Sequence, residues 1–159
     1  MLEDLGNLGD FIGGIAVIAT LLYLAMQIRQ NTRSLRSAAL DSSVQHFANR
    51  QMAIAQDPDL ADLVERGSSG YHGLQGVEKR RYRAYLLGHL KEIESSFFKH
   101  EQHLLPHSQW EGLQAGLVYS FGRPGWRQCW KQINPVFSEE FRKFVDEVIA
   151  SRVKSEPAA

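Results

Sequence analysis

The hydrophobic pattern of the chain is uneven from its first turns. From Phe11 to Ile28 the sequence FIGGIAVIATLLYLAMQI contains 18 residues and no charge. As an α-helix this stretch spans about 27 Å, close to the roughly 30 Å hydrocarbon core of a bilayer. Nine of its residues are Phe, Ile, Leu or Val, each favouring insertion by about 0.3–0.6 kcal/mol. Apolar side chains fall on most faces of the helix, whereas a helix lying on a soluble core keeps a polar face. The pattern predicts a transmembrane helix. The competing expectation is the central buried helix of a soluble bundle.

No Gly or Pro occurs between Ile15 and Asp57, so the same helix is expected to continue as a long rod to about Gln56. Leu35, Ala39, Val44, Phe47, Ala48, Ile54 and Ala55 give this second half an imperfect apolar stripe. Asp57-Pro58 predicts a new helix, with Asp57 as N-cap and Pro58 in the first turn, running through Leu60, Leu63 and Val64 to Gly67. Four glycines make GSSGYHGLQG a loop. Helical spacing of Tyr82, Leu86, Leu90, Ile93, Phe97 and Leu104 predicts a long helix from Val77 to Leu105, stopped by Pro106. A helix from Ser108 to Phe121 follows. Pro124 opens a short one carrying Trp126, Trp130 and Ile133. Ser138 caps a last helix with Phe141, Val145, Val148 and Ile149 on its buried face. No stretch alternates as a strand does. The fold class is all-α: an N-terminal transmembrane helix continuing into a rod, packed by a cytoplasmic helical bundle. The expected divisions are 1–28 (outer tip and membrane helix), 29–56 (its cytoplasmic extension), 57–153 (helical domain) and 154–159 (disordered tail).

Charge sharpens this picture. The 18 Lys and Arg balance 18 Asp and Glu, which argues against a nucleic-acid partner. The distribution matters more than the sum. Glu3, Asp4 and Asp10 precede the apolar run, and Arg29, Arg33 and Arg36 follow it. Lys and Arg concentrate on the cytoplasmic side, so the N-terminus is expected outside and the bulk of the chain in the cytoplasm, the three arginines meeting lipid head groups. A cleaved secretory leader has the reverse polarity. Gly9, Gly13, Ala16, Thr20 and Gln27 fall on one face of the apolar helix, a small-residue stripe ending in a polar group. Such a stripe permits close helix pairing, most simply self-association.

Candidate chemistry is sparse. A single cysteine, Cys129, excludes a disulfide framework and any cysteine-based zinc site. His89, His100, His103 and His107 lie near Glu92, Glu94 and Glu101. No Glu-x-x-His pair is formed by Glu94, and HEQH at 100–103 is one residue short of the spacing a zinc protease needs. Glu94 sits among Ile93, Phe97 and Phe98, where a carboxylate needs a partner, and Arg127 is the expected one in a buried ion pair. Lys79, Arg80, Arg81 and Arg83 crowd one helix start, against its dipole and suited to an anionic surface. PGWRQCW offers two tryptophans and an arginine, as core filling or as a ligand surface. No phosphate loop, nucleotide fingerprint or nucleophile triad is present, so no metal, cofactor or catalytic residue is expected.

The run GDFIGGIAVIATLLYLAMQIRQNT, Gly9 to Thr32, resembles the opening of a widespread group of small uncharacterised bacterial membrane proteins. The similarity extends to Asp57-Pro58, Glu94, Trp110, the Pro124-Gly125-x-Arg127-x-x-Trp130 element, Phe137 and Phe141. It implies one N-terminal span and a cytoplasmic helical domain, and it carries no activity with it. Two functional readings follow. The first is a helical scaffold, accessory or regulatory protein anchored in the bacterial inner membrane, binding itself and an unknown protein partner. The alternative is a membrane-tethered enzyme, metal-assisted or not, using Glu94 with His89 or His100.

Overall fold

The computed structural model describes residues 2–155, with side-chain surroundings for Gly6 and for residues 11–151. Within it the chain is all-α: six α-helices, two short 3-10 turns and no strand. Two compact units, Met1–Ala38 and Ala39–Ala159, divide inside the first helix.

Helix α1 runs Leu2–Gln56 without interruption. It stops where the sequence says it must. Pro58 drives the preceding residue out of the helical region, and Asp57 sits at φ −121°, ψ 99°. The Asp57 carboxylate then accepts the Leu60 N–H at 3.0 Å and caps α2 (Pro58–Ser69).

Gly67, the expected end of α2, is instead buried within it, and the helix continues to Ser69 before Gly70 leaves in an extended conformation. The reason is packing. A Cβ at Gly67 would lie 2.2 Å from the Tyr82 ring, and one at Gly125 would lie 1.8 Å from the Gly67 carbonyl oxygen. These two glycines let α2 touch the Tyr82 ring on one side and α5 (Pro124–Ile133) on the other. A 3-10 turn at Tyr71–Gly73 replaces part of the expected loop.

Helix α3 spans Gly76–Glu101, ending four residues before the expected Leu105. The cause is local. His103 adopts φ +56°. The Leu104 N–H bonds back to the Lys99 carbonyl at 2.8 Å and the His103 N–H to that of His100 at 2.9 Å. That pair of bonds is a Schellman stop, with histidine where glycine is commonest. Helices α4 (His107–Phe121), α5 and α6 (Glu139–Ser155) complete the bundle, with a second 3-10 turn at Asn134–Val136. Residues 154 and 155 are thus helical; of the expected tail, 156–159 lie outside the described residues.

The core lies among α2 to α6. Leu63, Leu86, Leu90, Leu117 and Val145 are at most 2% exposed, and Tyr82, Phe121 and Phe141 are fully covered. Each such side chain contributes roughly 1.5–3 kcal/mol by leaving water. Trp126 and Trp130 both belong to this core, so PGWRQCW is a packing element. Trp130 also donates its indole N–H to Asp146 at 3.0 Å, joining α5 to α6. Arg123 fixes the corner before α5 by bonding the Glu65 carboxylate at 2.9 Å and Ser69 Oγ at 3.0 Å.

Candidate functional site

Three places carry unusual chemistry. The first is the apolar half of α1. Its large apolar side chains, from Phe11 (66% exposed) to Ile28 (67%), are nowhere less exposed than Leu24 at 45%. None of the 18-residue apolar window is buried. Among the described residues this is the one helix long and apolar enough to cross a membrane. Gly13, Ala16, Thr20 and Gln27 share an open face: a Cβ at Gly13 meets nothing within 4 Å, and the other three are exposed. Gly9 belongs to α1, but its surroundings lie outside the described residues. The Thr20 hydroxyl donates to the Ala16 carbonyl at 2.8 Å, so it adds no unsatisfied donor to the apolar stretch. Arg29, Arg33 and Arg36 are all exposed.

The second place is Glu94, buried at 9% exposure. Arg127 is not its partner, contrary to expectation. The Arg127 guanidinium instead donates to the carbonyls of Phe121 and Gly122, at 2.6 and 3.0 Å, capping the end of α4. Glu94 takes Lys91 Nζ on one oxygen at 2.7 Å and the Ser138 backbone N–H on the other at 2.7 Å. Ser138 is the N-cap of α6, its Oγ accepting the Phe141 N–H at 3.4 Å and its carbonyl the Arg142 N–H at 3.0 Å. A capping box normally supplies the carboxylate from the third helical residue. Here that residue is Phe141, committed to the core, and Glu94 reaches across from α3 to do the same job. Burial raises the Glu94 carboxyl, but the hydrogen bonds from Lys91 and Ser138 outweigh it and hold the group below the usual carboxylate range. Both oxygens are thus committed to structure.

The third place is a cavity of about 290 Å³ between residues 42–50 of α1 and residues 88–99 of α3, with Leu113 also in its lining. Its walls include Phe47 and Ile93, four serines (Ser42, Ser43, Ser95, Ser96), and the polar groups His46, Arg50, His89, Glu92 and Lys99. Arg50 and Glu92 form an ion pair there, and the Arg50 guanidinium also stands 5.5 Å from the Phe47 ring centre. His89 packs edge-on to Trp126, with ring centres 5.4 Å apart. Its Nδ1 is buried without a hydrogen-bond partner, and the nearest carboxylate oxygen, of Glu92, stands 3.9 Å away. Burial, and then the Arg50 charge, push the His89 pKa down to about 3, so the ring is neutral at neutral pH.

His100 and His107 lie elsewhere. His100 contacts His107 and Trp110, with ring centres 5.6 and 5.2 Å away, and His107 pairs with Glu111 at 3.4 Å. Among the described residues no three His, Cys, Asp or Glu side chains are grouped to hold a metal. Burial raises the Cys129 thiol to about 12, so it stays protonated and unreactive. In the basic run at the start of α3, Lys79 lies over the Tyr71 ring at 5.0 Å.

Sequence reasoning missed the cavity altogether. Its walls come from segments far apart in sequence, as the 42-residue separation of Arg50 and Glu92 shows. The serine pairs at 42–43 and 95–96 were the only local sign, since small polar residues on two facing helices leave space between them. Comparison with protein-family models, curated proteins and solved structures gives no match to this chain.

Proposed function

We propose that the chain is a single-span, membrane-anchored helical protein of the bacterial inner membrane, acting by binding, as a scaffold, accessory subunit or regulator. The observation that carries the proposal is the uncovered apolar half of α1. Eleven large side chains between Phe11 and Ile28 are about half exposed or more. Leaving them in water at roughly 1–2 kcal/mol each would cost on the order of 10–20 kcal/mol, comparable to the whole stability of a domain. They surround the helix, so a protein partner on one face would leave much of that surface wet. A bilayer covers every face at once. Its thickness matches the length of the run.

The acidic residues before the run and the exposed Arg29, Arg33 and Arg36 after it support an outside N-terminus and a cytoplasmic helical domain. The open small-residue face supports self-association of α1, and an unidentified protein partner would engage the helical domain. The resemblance to small bacterial single-span proteins points the same way. One Glu94 oxygen caps α6 and the other takes Lys91, which favours a structural role over catalysis at that residue.

Fractionation tests the anchor: the protein should stay with membranes through an alkaline wash and come free only with detergent. Recovery in the soluble fraction would end the proposal. In intact spheroplasts an external protease should remove an N-terminal tag and spare a C-terminal one. Crosslinking in membranes should trap a dimer that Gly13→Leu weakens, at a position where an added Cβ meets nothing within 4 Å. Strictly monomeric behaviour would remove self-association.

A further inference from the structure

We propose that the cavity between α1 and α3 binds a small organic monoanion, a carboxylate carried on a short apolar body. This goes beyond the anchoring role and does not depend on it. The cavity approaches the size at which small-molecule sites begin. Its polar groups are unevenly matched. Arg50, whose side chain is only 13% exposed, engages Glu92 through one nitrogen, and its other donors meet no acceptor among the described residues. Lys99 lines the same space, and its ammonium also has no acceptor among the described residues. Lys91, in contrast, is already committed to Glu94 and to the Val136 carbonyl.

Two cations with donors to spare thus face one carboxylate that is already paired, which leaves a net charge near +1 for an incoming acceptor. A carboxylate can take two parallel N–H bonds from a guanidinium and a third from an ammonium. The Glu92 charge disfavours a dianion such as a phosphate monoester. Phe47, Ile93 and Leu113 supply apolar wall for the rest of the ligand. The neutral His89 ring lines the same cavity, with its Nδ1 buried and without a partner.

The test is calorimetric titration of the full chain in detergent with sodium butyrate, n-butanol and inorganic phosphate. Butyrate should bind saturably with one site per chain, and n-butanol should show no saturable binding. Arg50→Gln and Lys99→Gln should each weaken butyrate by about tenfold or more. Lys99→Gln keeps the test decisive if Arg50→Gln, which strands Glu92, disturbs the fold. The proposal is overturned by an absence of saturable butyrate binding, by unchanged affinity in a folded Lys99→Gln protein, or by equal binding of n-butanol. Tighter binding of phosphate than of butyrate would overturn it as well, by assigning the cavity to a different anion.

Discussion

Replacing Glu94 separates a structural carboxylate from a chemical one. In Glu94→Ala the Ser138 N–H loses its acceptor at a part-buried site, a loss of about 1–1.5 kcal/mol. The negative charge at the start of α6 also disappears, worth about 0.3–1 kcal/mol. The pair with Lys91, whose side chain is 45% exposed, adds at most about 0.5 kcal/mol after screening. The sum is about 1.5–3 kcal/mol. Glu94→Gln keeps an acceptor for Ser138 and loses only the charge, so it should cost about 0.5–1 kcal/mol. Denaturant unfolding in detergent, followed by tryptophan fluorescence, reads both, because Trp130 is bonded to α6 through Asp146. The folded carboxyl titrates below its ordinary value. Its charge contribution is therefore complete above the unfolded pKa of about 4.3 and is lost as pH falls through the lower folded value. Glu94→Gln should remove that part of the acid-side loss. If Gln costs as much as Ala, or if neither destabilises, the capping account of Glu94 is wrong.

Three further outcomes follow from the packing. Gly125→Ala should cost roughly 3 kcal/mol or more in a thermal or denaturant melt, because its Cβ would meet backbone oxygens of Gly67 and Ser68 at 1.8 and 2.6 Å; a shift under about 1 kcal/mol would mean that α2 and α5 separate easily. His103→Gly should stabilise the protein by about 1 kcal/mol, since glycine relieves the left-handed backbone at φ +56° without disturbing the Schellman bonds; an unchanged or lowered melting temperature would count against the strain. His89, with a folded pKa of about 3, stabilises fully above its unfolded pKa of about 6.5 and progressively less as pH falls toward 3. Between pH 6.5 and 5 that loss is about 1.6 kcal/mol, and His89→Gln should flatten the slope in a pH series of melts.

Much of the architecture was legible because its causes are local. Asp57-Pro58 ends one helix and caps the next within four residues. Ser138 starts α6 by the same logic, and an uncharged run such as Phe11–Ile28 needs no tertiary information to mark it as apolar on most faces. The spacing of Tyr82, Leu86, Leu90 and Ile93 likewise placed the buried seam of α3, and all four are in the core. Where the reading failed, a non-local or conformational term had intervened. Gly67 reads as a helix end because glycine is a poor helix former, yet here it is the contact surface for Tyr82 and α5. The stop at Glu101 depends on a histidine accepting a left-handed conformation, for which the sequence holds no glycine as a sign.

Sequence by itself thus determined which segments are helical, where most of them begin, and which one is apolar over the length of a membrane span. Tertiary structure decided what each charged group meets. Glu94 and Ser138 are 44 residues apart, and Arg50 and Glu92 are 42 apart. Periodicity fixes the face on which a side chain stands, but not which neighbouring helix presents its cation or N–H to that face. That choice belongs to the packing of whole helices, where filling the core around Trp130 and Phe141 outweighs any single ion pair. Arg127 accordingly caps α4, and Glu94 is left to Lys91 and to the start of α6.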